Sequence, residues 1–161
     1  MWTPIVEPAY WTINLINIRK VRFDEKGKET SEFEKEKKNK FCPEGCKTII
    51  DTGTYLIYGP GEKILSLLDG LSLDSCKDKQ KLPDLAFELQ GESKEGLKKS
   101  IELILTPDDY VLHFQVDGED DCVIGIVPDN LDTGYTIGQV FLKAYYTVFD
   151  RDNARIGKFS F

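Results

Sequence analysis

The residues of this chain best suited to chemistry lie in the segment TIIDTGT, residues 48–54. An apolar run predicts a strand that ends at Asp51, and Gly53 permits a sharp reversal that brings backbone N–H groups close to the carboxylate. Thr52 and Thr54 add hydroxyl groups on either side of the turn. Hydrogen-bond donors favour the ionised carboxylate, whereas apolar walls and a second carboxylate raise its pKa. An aspartate under both influences is suited to general acid–base catalysis on water.

The three residues Asp-Thr-Gly are a weak signal alone, because so short a motif recurs by chance. A second copy at 132–134 follows the polar stretch PDNL, and we interpret it as a surface turn. The first copy has apolar segments on both sides and is followed by a break at 59–61. On the motif alone, a purely structural turn remains the alternative to a catalytic role for Asp51.

Composition excludes several classes of protein. Of the 161 residues, 40% are apolar and 11% aromatic, enough for the core of one domain and too many for a disordered chain. No apolar run approaches the roughly 18 residues of a membrane span, and residues 1–8 lack the basic-then-apolar pattern of a signal peptide. The net charge of −7 argues against general binding of nucleic acids, which depends on Lys and Arg.

Short alternating runs bounded by Gly, Pro and Asp predict a mainly β protein with two short helices. The alternation slips within the first long run, which predicts a β-bulge there. The predicted strands are 10–23, 48–50, 55–58, 85–89, 101–105, 110–116, 123–127, 146–150 and 156–161, and the predicted helices are 64–68, ending before Gly70, and 140–145.

Charge is distributed unevenly. Residues 24–40 carry six acidic and six basic side chains and one apolar residue, Phe33, so we expect an exposed, mobile, charged hairpin insertion. A docking role is the alternative for this insertion. Residues 107–132 contain eight acidic and no basic side chains. Solvated turns account for this run, and an acidic rim that prefers basic substrates is the alternative.

Several stretches resemble, in the same order, the C-terminal lobe of pepsin-like aspartic proteases. The segment around Asp51 resembles the second active-site loop of that family. The other matching stretches are PAYWTI at 8–13, CPEGC at 42–46, LPDLAF at 82–87, LTPDDY at 105–110 and IGQVFLKAYYTVFDR at 137–151. The resemblance covers nearly the whole chain. It implies one domain over residues 1–161, a mainly β lobe of closed or twisted barrel-like sheets with two short helices.

The resemblance also implies roles for the loop residues. Asp51 would be one of two catalytic aspartates, and Thr52 would reach across to the opposite lobe. Gly53 would offer backbone groups to the substrate, and Thr54 would hydrogen-bond the Asp51 carboxylate. Substrate contacts are expected from Gly53, Thr54, Tyr55 and Ile137.

Two positions depart from the family pattern. Tyr55 stands where the family usually has Ser or Thr, so a bulky ring would line the unprimed substrate pocket. Gln139 stands where the family often has Asp, and loss of that charge should make the dyad easier to ionise. Ile137 and Gly138 would form the apolar-Gly element through which the active-site loop is threaded.

An even count of four cysteines leaves room for two disulfides or for none. The resemblance implies two, Cys42 with Cys46 and Cys76 with Cys122. Zinc needs four ligands in paired spacing, whereas Cys76 and Cys122 are isolated and His113 is the only histidine, so we expect no metal and no cofactor. Disulfides favour an oxidising compartment, that is, the secretory pathway, a vacuole or lysosome, or the cell exterior.

These expectations combine into a function. The chain would be the C-terminal half of an aspartic endopeptidase, excised from a longer bilobal protein and inactive alone. Its partners would be an N-terminal lobe with the other catalytic aspartate and a peptide or protein substrate. The alternatives are an active homodimer built from two copies of Asp51 and a non-catalytic binding or storage protein. The Lys/Glu/Asn bias and the Tyr-rich loop would suit an enzyme of the plasmepsin kind.

Overall fold

A computed structural model describes residues 1–38, 40–92, 98–130 and 134–159. The strands are β1 Trp2–Pro4, β2 Thr12–Val21, β3 Cys46–Ile50, β4 Ile57–Pro60, β5 Asp84–Glu92, β6 Lys98–Leu105, β7 Val111–Val116, β8 Glu119–Ile124, β9 Ile126–Asp129, β10 Tyr135–Ile137, β11 Tyr146–Asp150 and β12 Arg155–Phe159. The helices are α1 Glu34–Lys38, α2 Gly61–Leu68, α3 Pro107–Tyr110 and α4 Gln139–Leu142, with a 3-10 helix at Cys76–Lys81.

The predicted mainly β architecture is confirmed. In the described parts of the chain, one large sheet has the strand order β11-β12-β1-β5-β2-β3-β10-β4-β9, with β6 paired to β5. A separate two-stranded sheet consists of β7 and β8. The core lies against the large sheet and contains buried side chains from nearly every strand and from α2 and α4.

The centre of the sheet is the antiparallel pair β2 and β5. Both strands are buried along most of their length. Apolar side chains such as Ile18 and Phe87 lie on one face, and the other face of β2 buries the polar side chains of Asn17 and Arg19. The register between them shifts between Leu15 and Asn17. This irregularity is the bulge that the slipped alternation of the sequence predicts, and it keeps Leu15 and Ile18 both fully buried.

The predicted helices 64–68 and 140–145 correspond to α2 and α4, of which α2 starts three residues earlier and α4 ends at Leu142 instead of 145. In α2 the side chains of Ile64 and Leu67, three residues apart, are buried on one face. The chain turns at Gly70 with φ of +75°, a conformation that suits glycine. The remaining helices, α1, α3 and the 3-10 helix, have at most six residues and are too short for a hydrophobic period to reveal.

Two predicted strands are corrected. The strand expected at 55–58 begins only at Ile57, because the carbonyl of Tyr55 binds the backbone of α4 instead of a neighbouring strand. The strand expected at 123–127 is divided at Gly125. The Gly125 N–H donates to the carbonyl of Tyr110 at 2.7 Å, and its carbonyl accepts from the N–H of Ile57 at 3.0 Å, so the ladder changes partners there.

The charged segment 24–40 does not form the regular hairpin that the sequence predicts, and it makes ion pairs with a neighbouring strand. It starts with a turn and continues into α1 instead of forming one regular hairpin, because its acidic side chains bind back onto β2. Glu29 pairs with the buried Arg19 at 2.7 Å. Glu36 accepts a hydrogen bond from the backbone N–H of Lys20 at 2.8 Å. The mobility of the segment stays a prediction.

Both expected disulfides are present. Cys42 and Cys46 close a short loop that ends at the first residue of β3, and Cys76 and Cys122 join the 3-10 helix to the β7–β8 hairpin. In the described residues no helix is long and apolar enough to cross a membrane. Asp132 and Thr133 of the second Asp-Thr-Gly copy lie outside the described residues.

Candidate active site

The site is built around a loop that leaves the sheet at the end of β3 and returns in β4. The strand β10 lies between these two, parallel to β3 and antiparallel to β4. The backbone N–H of Asp51 donates to the carbonyl of Ile137 at 3.0 Å, which continues the parallel ladder by one residue. The aspartate is therefore held by regular β structure at its base while its side chain extends into the loop.

The Asp51 carboxylate accepts two hydrogen bonds from its own loop. The N–H of Gly53 donates to Oδ1 at 2.9 Å, and the hydroxyl of Thr54 donates to Oδ2 at 2.6 Å. The Thr54 hydroxyl, followed by the Gly53 N–H, lowers the pKa of Asp51 below its ordinary value because both donors favour the charged form. The loop thus presents a half-buried, ionised carboxylate.

The helix α4 locks the far side of the loop. The N–H groups of Gly138, Gln139 and Val140 donate to the carbonyls of Leu56, Thr54 and Tyr55 at 3.1, 2.9 and 2.9 Å. The loop passes so close to Gly138 that a Cβ there would lie 2.5 Å from the Leu56 carbonyl oxygen. Only glycine permits this approach, because any side chain would meet backbone atoms that cannot rotate away.

The structure brings together most of the residues that the sequence singled out. Thr52, Gly53 and Tyr55 are exposed on the loop. The amide nitrogen of Gln139 donates to the Thr52 carbonyl at 3.0 Å. Ile137 is a correction: its side chain is fully buried, so it supports the loop from the core side and does not face a substrate.

A lysine that the sequence analysis did not single out also contacts the loop. The ammonium of Lys143, one residue after α4, donates to the hydroxyl of Tyr55 at 3.0 Å and lies 4.5 Å from its ring centroid. The pair is 88 residues apart in the chain. The only sequence signal for it is the position of Lys143 shortly after the Ile137-Gly138 element that grips the loop.

Beside the loop lies a cleft of about 330 Å³ lined mainly by apolar side chains. Thr52 lies at its edge, and Leu142 and Phe149 contribute to its wall. A second group of potential ligands lies away from the loop, where Cys76, His113 and Cys122 have ligand atoms within 4.8 Å of one another. The two sulfurs are joined in a disulfide, so they do not offer the thiolates that a zinc site requires.

Comparison with known proteins identifies this arrangement. The family model described as "Eukaryotic aspartyl protease" matches residues 1–160. The chain therefore belongs to the eukaryotic aspartyl protease family, and the suspected pepsin-like resemblance is confirmed.

Individual relatives narrow the resemblance to the plasmepsin type. The chain is 40% identical over 163 residues to plasmepsin VII of Plasmodium berghei (strain Anka), covering 98% of this chain and 35% of that protein. It is 42% identical over 170 residues to plasmepsin VII of Plasmodium falciparum (isolate NF54), covering 98% and 38%. Pepsin A of Sus scrofa is 30% identical over 169 residues, covering 97% and 37%. The chain thus spans little more than a third of the length of these relatives.

Proposed function

We propose that this chain is the C-terminal half of an aspartic endopeptidase and supplies one of its two catalytic aspartates, Asp51. The observation that carries the proposal is the single ionised carboxylate, held by Gly53 and Thr54 on a loop that α4 and β10 fix from behind. A rigid carboxylate with one open side is what an acid–base group acting on water requires.

Peptide hydrolysis by this class needs a second carboxylate close to the first. The two share one proton, so that one ionised carboxylate takes a proton from water while the other, protonated, donates to the peptide carbonyl oxygen. Water then adds to the carbonyl carbon, and the C–N bond breaks when the amine leaves with a proton. In the described residues Asp51 has no hydrogen bond to another carboxylate. On this proposal the second carboxylate comes from an N-terminal lobe.

A missing lobe would account for two further features. The curated relatives are nearly three times as long as this chain, which leaves room in them for a second domain. Thr52 is exposed, and it borders the apolar cleft beside the loop. Docking of an N-terminal lobe would cover this cleft and give Thr52 a partner. On this proposal the lobe is inactive alone and acts on a peptide or protein substrate.

The two disulfides support an inference about the compartment in which the protein acts. Two bridges in a chain of this size are expected in an oxidising compartment, where thiols do not remain reduced. We therefore infer that the protein passes through the secretory pathway and acts in a vacuole or lysosome or outside the cell.

The test joins this chain to an N-terminal lobe that carries its own Asp-Thr-Gly loop. Cleavage of a peptide library at pH 4 to 6 is measured for the joined protein, for Asp51→Asn and for the control Asp152→Asn, which removes a charge from an exposed turn. The proposal expects cleavage that Asp51→Asn abolishes and Asp152→Asn leaves intact. A joined, folded protein that cleaves no peptide, or an Asp51→Asn variant that retains activity, would contradict it.

A further inference from the structure

A groove between α1 and α2 lies far from the candidate active site. Its volume is about 190 Å³, and it is lined by Ile18, Lys35, Glu36, Phe41, Ser66 and Leu67. The strand β2 beneath it begins at Thr12, which pairs with Ile49, two residues before Asp51. Ile18 is six residues further along β2, so about 20 Å of strand separates the groove from the active-site end. None of its lining residues borders the cleft beside Thr52 that the proposed N-terminal lobe would cover.

The charged segment 24–40 turns acidic side chains inward and lysines outward at this groove. Three of its glutamates bind cations of β2 or of the residue that follows it, at 2.7, 2.9 and 3.2 Å: Glu29 with Arg19, Glu32 with Arg22 and Glu36 with Lys20. All six lysines of the segment are exposed. A segment that carries no net charge in sequence therefore presents an outer surface on which lysines predominate.

Two lysines flank the groove. Lys35 of α1 lines one side, and the ammonium of Lys63 in α2 lies 5.5 Å from the centroid of the Phe41 ring. Among the side chains that the structure describes, no carboxylate lies within 4.0 Å of either ammonium. Glu36 also lines the groove, but its two oxygens bind the backbone N–H and the ammonium of Lys20 at 2.8 and 3.2 Å. The positive charge of the rim is therefore available to a carboxylate from outside.

The floor of the groove is apolar and held in place. Phe41 is half-buried, and its N–H donates to the side-chain oxygen of Asn17 at 2.8 Å. The next residue, Cys42, is fixed by its disulfide. Ile18 and Leu67 lie behind the ring and are buried. A cavity of about 150 Å³ lined by such side chains holds a benzene molecule, so this groove has room for one apolar side chain.

We propose that the groove binds an acidic segment of another protein, with one apolar side chain against Phe41 and carboxylates beside Lys35 and Lys63. Charge complementarity of this kind guides association and fixes the register of the bound segment. The recess favours a peptide over a lipid bilayer, because a flat membrane surface meets protruding residues and does not enter a groove between two helices. The docking site goes beyond the proposed function and does not depend on Asp51.

The experiment titrates the oxidised chain into the rhodamine-labelled peptide Glu-Glu-Asp-Leu-Asp-Glu-Glu and follows fluorescence anisotropy. The double variant Lys35→Glu/Lys63→Glu should weaken binding about 10-fold, since it replaces two attractions by two repulsions. Ser66→Phe should also weaken binding about 10-fold, because the ring fills the groove without changing charge.

The matched control is Lys77→Glu/Lys99→Glu, which reverses the same number of charges at exposed positions outside the groove. At physiological ionic strength charges more than about 8 Å apart are largely screened, so the control should leave Kd within about twofold of the wild-type value. All substituted positions are exposed, so the variants keep the fold. A second peptide with Ser in place of Leu should bind about 5-fold more weakly, because it loses the apolar contact.

Each outcome decides the proposal. Saturable binding that both groove variants weaken, and that the control variant and its screened charges leave intact, supports it. The absence of saturable binding up to about 1 mM, full affinity in either groove variant, equal weakening in the control, or equal binding of the Ser peptide overturns it. Adsorption of the chain to phosphatidylserine vesicles without binding of the peptide also overturns it and assigns the lysines to a membrane surface. None of these assays measures cleavage, so each result leaves the proposed function to its own test.

Discussion

Replacing Gly138 by alanine adds one carbon at the point where the loop is threaded past α4. The new Cβ would lie 2.5 Å from the carbonyl oxygen of Leu56 and even closer to that of Thr54. Both neighbours are backbone atoms, so neither can move away by rotating a side chain. Relief of the clash requires the whole loop that carries Asp51 to shift.

The size of the effect follows from the hydrogen bonds that this shift would break. Three backbone bonds join the start of α4 to the loop, at 2.9 to 3.1 Å. A net contribution of about 1 kcal/mol for each bond gives a loss of about 2–3 kcal/mol if two or three are broken, which agrees with the usual cost of overpacking. For a chain of this length such a loss lowers the Tm by about 4–12 °C.

Thermal unfolding of the oxidised chain, followed by circular dichroism, measures this loss. Gly61→Ala is the matched control, because its Cβ would make an ordinary 3.6 Å contact with the carbonyl oxygen of Asp129 at the start of α2. The control should leave the Tm unchanged or raise it slightly, since alanine favours helix. Equal Tm values for Gly138→Ala and wild type would refute the argument that the loop is held by this contact.

Further predictions concern single side chains. Tyr135→Phe should keep or raise stability, because burial leaves the Tyr135 hydroxyl without a partner among the described residues and raises its pKa to about 12. Tyr110→Phe should cost about 1–2 kcal/mol in urea unfolding, because that buried hydroxyl donates a 2.6 Å hydrogen bond; the opposite order would contradict both statements. Thr54→Val should raise the pKa of Asp51 in a ¹³C NMR titration. Because donors lower that pKa in the folded state, the variant loses stability at neutral pH, and the loss disappears as pH falls through the folded-state pKa; an unchanged pKa is the contrary result. Arg19→Met should lower stability by about 2–3 kcal/mol in urea, since it removes the partner of Glu102 and leaves Glu29 with only the exposed Lys37, and a loss below about 0.5 kcal/mol would count against the ion pairs.

Local patterns of the sequence were sufficient for much of the fold. The bulge in β2 is visible as a slip in alternation, because the period of a strand is two residues and an extra residue moves every later side chain to the other face. Asp51 could be located because the strand before it and the glycine after it are local features. The end of α2 before Gly70 could also be predicted, because a glycine after a helical run is a local signal.

Contacts between residues that are far apart in the sequence could not be predicted from such local patterns. The contact of Lys143 with Tyr55 joins residues 88 positions apart, and nothing in the sequence around Tyr55 indicates which distant residue it meets. The segment 24–40 looked unattached because its charges balance internally, whereas Glu29 in fact neutralises the buried Arg19 of another element. Charge pairing is not periodic, so the sequence alone does not say which acid meets which base.

The substrate contact expected from Ile137 does not agree with the buried position of its side chain. The resemblance suggested a substrate contact, and the sequence Tyr-Thr-Ile does predict a strand there. Tyr135 and Ile137 lie on the face of β10 that packs against the core and are buried, and the intervening side chain, Thr136, lies on the other face and is half-buried. Side chains on the face of β10 that packs against the core are covered by that core and do not reach a ligand.

The central claim is that Asp51 is half of a dyad completed by another lobe. It is tested most directly by peptide cleavage with this chain alone at pH 4 to 6, over a wide range of protein concentration, beside Asp51→Asn. The account predicts no cleavage at any concentration by either protein, and cleavage by the wild-type chain once a lobe with a second Asp-Thr-Gly loop is joined to it. Cleavage by the chain alone that rises with the square of concentration and is lost in Asp51→Asn would contradict the account, because two copies of Asp51 would then form the dyad.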